Sequence, residues 1–144
     1  MLRAVADTNT AISGLLYLGR ERALLEAARD GRITLCTSSV LLAELADVLT
    51  RAKFAARIAA AEMSVARLVR RYARLATRVV PANISRGVPG DPDDDAVLAC
   101  ALAAAADLIV TGDKRLRNLK SWQRIPIVSA AEALEIVVRQ SARG

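Results

Sequence analysis

Residues 91–106 read Asp91-Pro92-Asp93-Asp94-Asp95 followed by the apolar run AVLACALAAAA. That run carries no turn residue and no polar interruption for about three turns, so it predicts a helix sunk in a core with a knot of negative charge at its amino end. Asp91 suits the N-cap, Pro92 the first helical position, and Asp93 and Asp94 complement the positive end of the helix dipole. Asp95 is followed by Leu98, Ala99 and Leu102 at helical spacing, which sets it on the leucine-bearing stripe. Because the helix is apolar all round, periodicity alone does not separate Asp95 from Asp94.

Short apolar runs lie on both sides of this helix. Leu2 to Ala6 reads as a buried strand entering the polar turn Asp7-Thr8-Asn9, and Arg32 to Cys36 reads as a second strand. Arg78 to Val80 is a brief strand closed by Pro81, Leu108 to Val110 ends in Thr111-Gly112-Asp113, and Ile125 to Val128 is the last. Periodic segments predict helices over 11–18, 20–31 and 40–51, with Thr37, Ser38 and Ser39 as candidate caps for the third. Residues 54–77 read as helical with a break near Met63-Ser64, 82–90 as a surface loop, and Ser129 as the cap of a helix through Val138. Strands that are apolar on both faces and alternate with helices predict an α/β fold: three layers, α/β/α, around a short parallel sheet, in a single domain over 1–144.

The chain has 144 residues, 53% of them hydrophobic and 3% aromatic, enough to bury a core. Its longest apolar run falls short of the roughly 18 residues that a membrane span needs. An acid at Asp7 interrupts any signal-like segment, so a cytoplasmic protein is expected. Cys36 and Cys100 lack the close spacing of zinc or redox motifs and read as small hydrophobes.

Histidine is absent. This excludes Ser-His-Asp and Cys-His nucleophiles, imidazole acid–base hydrolysis and imidazole zinc sites together. A hydrolase built from this sequence needs oxygen ligands and a hard cation, Mg²⁺ or Mn²⁺. The net charge of +6 favours a polyanionic partner. One basic cluster comprises Arg67, Arg70, Arg71, Arg74 and Arg78. A second, Lys114, Arg115, Arg117, Lys120 and Arg124, directly follows Asp113 and so points to phosphate contact.

In open α/β sheets, ligands bind outside the carboxyl ends of the strands, where the following helices also begin. Asp7 and Asp113 each follow a short strand, Glu44 borders the apolar stripe of the helix over 40–51, and Asp95 lies in the first turn of another helix. Four carboxylates in one pocket would repel each other by several kcal/mol without a divalent cation among them. Singly, each has an ordinary reading: Asp7 as a turn residue, Glu44 as a stripe-edge glutamate, Asp94 and Asp95 as first-turn acids. Their conjunction points to a metal site.

Asp7-Thr8-Asn9, Glu44 within Leu-Leu-Ala-Glu-Leu, Asp95 within Asp-x-x-Leu-Ala, and Thr111-Gly112-Asp113 together resemble the PIN-domain ribonucleases. The nearest branch is the VapC-like toxins of bacterial toxin–antitoxin modules. The resemblance implies Mg²⁺- or Mn²⁺-dependent cleavage of RNA, with Asp7, Glu44, Asp95 and Asp113 as catalytic metal ligands. It casts Asn9 and Thr111 as polar support, with Asp94 beside Asp95 as a further supporting acid. It also implies a homodimer and an antitoxin partner that inserts a segment into the acidic groove. Lys114, Arg115 and Arg117 are expected to guide the RNA strand. Thr10 stands where the family usually has an apolar residue.

Two other readings compete. A haloacid-dehalogenase-type phosphatase also places an aspartate after its first strand, but it needs a second acid two residues later, where this chain has Asn9. A catalytically silent RNA- or partner-binding domain would retain the fold and the basic surface, yet would gain nothing from an acidic cleft.

Overall fold

The computed structural model describes residues 1–83 and 92–142. The expected loop over 82–90 falls mostly outside them, as does Asp91, the expected N-cap.

Among the described residues, six strands form one sheet: β1 (Arg3–Ala6), β2 (Thr34–Thr37), β3 (Ala76–Arg78), β4 (Leu108–Val110), β5 (Ser121–Trp122) and β6 (Ile125–Val128). Their order is β3-β2-β1-β4-β6-β5, with every neighbour parallel except the β5–β6 pair. Ala4 lies opposite both Leu35 and Leu108, and Ala6 opposite Val110, so β1 is central and ends level with β4.

Side chains alternate across the sheet as the period of two requires. Ala4, Leu35, Leu108, Val110 and Val128 enter one core, shared with α1 (Thr8–Leu16), α2 (Arg20–Arg29), α3 (Ser39–Leu49), α4 (Ala52–Ala60), α5 (Val65–Leu75) and α8 (Ala130–Ala142). Val5, Cys36, Ile109 and Ile127 enter the other, shared with α6 (Pro92–Ala103) and α7 (Lys114–Arg117). This is the expected three-layer arrangement. Both cysteines are buried free thiols; burial pushes the Cys100 thiol up to about 12, so it packs as a hydrophobe. Among the described residues, no helix is long and apolar enough to cross a membrane.

Several boundaries differ from the sequence reading for local reasons. α1 starts at Thr8 rather than Ala11 because the Asp7 carboxylate accepts from the Thr10 amide at 2.9 Å and caps it. The segment over 54–77 divides into α4 and α5; Glu62 has φ +54° at the break, and Ser64 Oγ accepts from the Arg67 amide at 3.2 Å. The third strand begins at Ala76, two residues early. Neither α7 nor β5 was expected. The β5–β6 hairpin turns on Gln123 and Arg124, both at positive φ (50° and 66°), without the Asn-Gly or Asp-Gly pair that usually announces such a turn.

α1 and α2 pack unusually close at Gly14. Arg22 of α2 donates to the Gly14 and Leu15 carbonyls at 2.6 and 3.2 Å. A Cβ on Gly14 would stand 2.7 Å from Leu25 Cδ1 and 2.9 Å from the Glu21 carbonyl oxygen. In an open helix Gly→Ala gains roughly 0.5–1 kcal/mol, but overpacking costs about 1–3 kcal/mol. Gly14→Ala is therefore expected to lower the thermal unfolding midpoint by a few degrees, about 1 kcal/mol. A midpoint that rises would show that α2 yields without cost.

Candidate active site

The central strands β1 and β4 end side by side, and each delivers an aspartate to the same edge. The Asp7 amide donates to the Val110 carbonyl at 3.1 Å, continuing the ladder one step past β1. Asp7 Oδ1 then caps α1, while Oδ2 accepts from Thr111 Oγ1 at 2.5 Å. Thr111 is fully buried, and its hydroxyl oxygen also accepts from the Asp113 amide at 3.0 Å. One hydroxyl thus ties the two strand-end acids together. Asp113 in turn caps α7, its Oδ1 accepting from the Arg115 amide at 2.8 Å.

Ser38, whose Oγ accepts from the Leu41 amide at 3.2 Å, starts α3 at the same edge. Glu44 follows in the second turn, half-buried between the buried Leu41 and Val48. A polar cavity of about 150 Å³ collects these acids: its lining includes Asp7, Thr8, Asn9, Glu44, Arg51, Asp94 and Asp113.

The fourth carboxylate in that lining is Asp94, and Asp95 is not among the lining residues. The phase of α6 explains this. Val97, Leu98 and Ala101, at three, four and seven residues past Asp94, are all buried at 2% exposure or less. Of the three residues that set Asp95 on the leucine stripe, Leu98 and Ala99 are buried but Leu102 is 40% exposed. Asp94 itself is 8% exposed, an acid carried inward on the buried side of the helix.

Of the expected RNA-guiding residues, Arg115 touches the acids. Its Nη2 lies 3.5 Å from Asp94 Oδ2 and 3.5 Å from Asp113 Oδ2, bridging the two carboxylates. Lys114 is exposed, and Arg117 folds back so that Nη2 donates to the Gly112 carbonyl at 3.4 Å. Arg51 also lines the cavity and was absent from the sequence reading, which used it only to end a helix. Asp107, just before β4, serves the opposite edge, where its Oδ2 accepts from the Arg3 amide at 2.8 Å.

The donor chemistry suits a hard divalent cation, since among the described residues the lining offers carboxylates and a hydroxyl and no imidazole or thiolate. Thr8 Oγ1 is buried in this lining with no hydrogen-bond partner among the described residues, as an oxygen awaiting a ligand would be. Among the described residues, no three of these acids are drawn together as a ready ligand set. A guanidinium stands between two of them instead.

The sequence profile of the PIN domain matches residues 3–115, a span that runs from β1 to Arg115 and takes in all four cavity acids. No curated protein matches the chain.

Proposed function

The chain belongs to the PIN-domain family, whose members are usually nucleases that bind nucleic acid; from that premise we propose that it is a Mg²⁺- or Mn²⁺-dependent endoribonuclease. The observation that supports this most is the cavity at the carboxyl ends of β1 and β4, lined by Asp7, Glu44, Asp94 and Asp113. In this proposal those four carboxylates hold the ion, with Asp94 in the place that the resemblance assigned to Asp95. A bound divalent cation would supply charge to stabilise the scissile phosphate and lower the pKa of a water, work that a chain without histidine cannot give to imidazole.

The chain's own residues do the rest. Thr111 orients Asp7 and Asp113 through one hydroxyl. Asn9 and Arg51 line the mouth, where the amide offers hydrogen bonds and the guanidinium offers charge to an incoming phosphate. Arg115 offsets the mutual repulsion of Asp94 and Asp113 until an ion or a phosphate replaces it. The narrower reading as the toxin of a toxin–antitoxin pair, homodimeric and opposed by an antitoxin, rests on the motif resemblance. A small protein encoded beside this one that binds it and stops cleavage would support that reading.

The test has two arms. Incubated with RNA and Mn²⁺, the purified protein is expected to give cleavage products that EDTA suppresses. At an ion concentration of about 100 times Kd, Mn²⁺ should stabilise the fold by roughly 2.7 kcal/mol, raising the melting temperature by several degrees. Asp7→Asn should lose that stabilisation while still folding, because asparagine caps a helix as well as aspartate does. A wild-type protein that neither cleaves RNA nor responds to Mn²⁺ would leave a silent binding domain as the better reading.

A further inference from the structure

The first arginine cluster has no place in the acidic site. Arg67, Arg70, Arg71 and Arg74 stand at i, i+3, i+4 and i+7 on α5, so their side chains line one face of that helix. All four are exposed, while Leu68 and Tyr72 are buried and lock the helix to the core. From Arg67 to Arg74 the helix rises about 10.5 Å, so the four charges form a row rather than a scatter.

Two arginines of α2 are already engaged. Arg22 is held by the carbonyls of α1, and Arg29 pairs with Glu26 and Asp30. Among the described residues, Arg70, Arg71 and Arg74 make no ion pair and no side-chain hydrogen bond, and Arg67 reaches only the Glu62 carbonyl, at 3.5 Å. No acid occurs in the sequence between Glu62 and Asp91, and Glu26 of α2, which lines a concave surface with Arg71, is paired with Arg29. The row borders two concave surfaces that share Arg71 and Leu75. One, of about 410 Å³, lies between α5 and the α1–α2 pair; the other, of about 500 Å³, is lined by Met63 and all four arginines.

A solvated helix face needs neither uniform sign nor concave flanks, and it usually interleaves acids with bases. A row of guanidiniums that makes no ion pair among the described residues, on a rigid helix, matches a chain of phosphates. We infer that the α5 arginine row is a second contact site for the RNA backbone, binding the strand away from the acidic cavity. α5 packs on α3, the helix that carries Glu44, so the row and the cavity lie on neighbouring elements. The choice of RNA over another polyanion rests on the nuclease reading; the row itself does not.

The experiment is fluorescence anisotropy with a labelled 20-nucleotide single-stranded RNA in EDTA, so that the result is independent of cleavage, over 50–200 mM KCl. Four phosphate contacts contribute about 3 to the slope of log affinity against log salt for a single strand. In the variant with Arg67, Arg70, Arg71 and Arg74 all changed to Gln, the slope is expected to flatten by about 3. Across this fourfold rise in salt, wild-type affinity should then fall about 50-fold more than that of the variant. The corresponding Arg→Lys variant should keep the wild-type slope, because point charges alone set it. If the Gln variant folds, as judged by an unchanged melting curve, and its slope equals that of the wild type, the inference is overturned. The face would then fit an acidic protein instead. A wild type that binds no RNA overturns it as well, whereas a wild type that binds with the expected slope but never cleaves overturns only the nuclease reading.

Discussion

Asp94→Asn is expected to reduce Mn²⁺-dependent RNA cleavage by about a thousandfold or more, whereas Asp95→Asn stays within a few-fold of wild type. The two residues are adjacent aspartates in the same helical turn, so the direction each side chain takes is what distinguishes them. Asp94 precedes the buried series Val97, Leu98 and Ala101 and lines the cavity with Asp7, Glu44 and Asp113. Losing one carboxylate that holds a catalytic cation removes several kcal/mol of charge stabilisation, and about 4 kcal/mol corresponds to roughly 10³ in rate. Asparagine keeps the volume and remains polar at the helix start, so the melting temperature should change little or rise as repulsion falls. Single-turnover cleavage rates of the two variants under saturating Mn²⁺ decide the matter. If Asp95→Asn were the inactive one, the cavity described above would not be the catalytic site.

Thr111→Val is expected to lower cleavage by about 10- to 100-fold without touching a carboxylate. Valine fits the fully buried space, but the hydroxyl that donates to Asp7 and accepts from the Asp113 amide is gone. Groups that orient metal ligands typically cost that much in metal affinity or rate when removed. Thr111 is a positioning residue in this argument, so its signature is weakened Mn²⁺ binding by calorimetry alongside slower turnover. Thr111→Ser, which keeps the hydroxyl, should restore both. Equal losses in the Val and Ser variants would assign Thr111 to packing alone.

Much of the architecture was legible because its signals are local. Short apolar runs ending in Asp7 and Asp113, and periodic helices between them, require a parallel sheet with both acids at one edge. What was missed lacked a local signal. The β5–β6 turn uses Gln123 and Arg124 at positive φ, an outcome set by the flanking strands rather than by the intrinsic preference of either residue. Arg51 reads as the end of a helix until α3 is folded against α6, and only then does it stand at the cavity.

The helix over 92–103 marks the division most clearly. Its existence, its burial and the negative charge at its start follow from composition and order alone. The absence of histidine restricts the chemistry to oxygen ligands in the same way. Which aspartate faces inward was not determined, because a helix that is apolar all round has no hydrophobic phase to read. That phase comes from packing against β1 and β4, which buries Leu98 completely, leaves Leu102 partly in solvent and turns Asp94 toward Asp7 and Asp113.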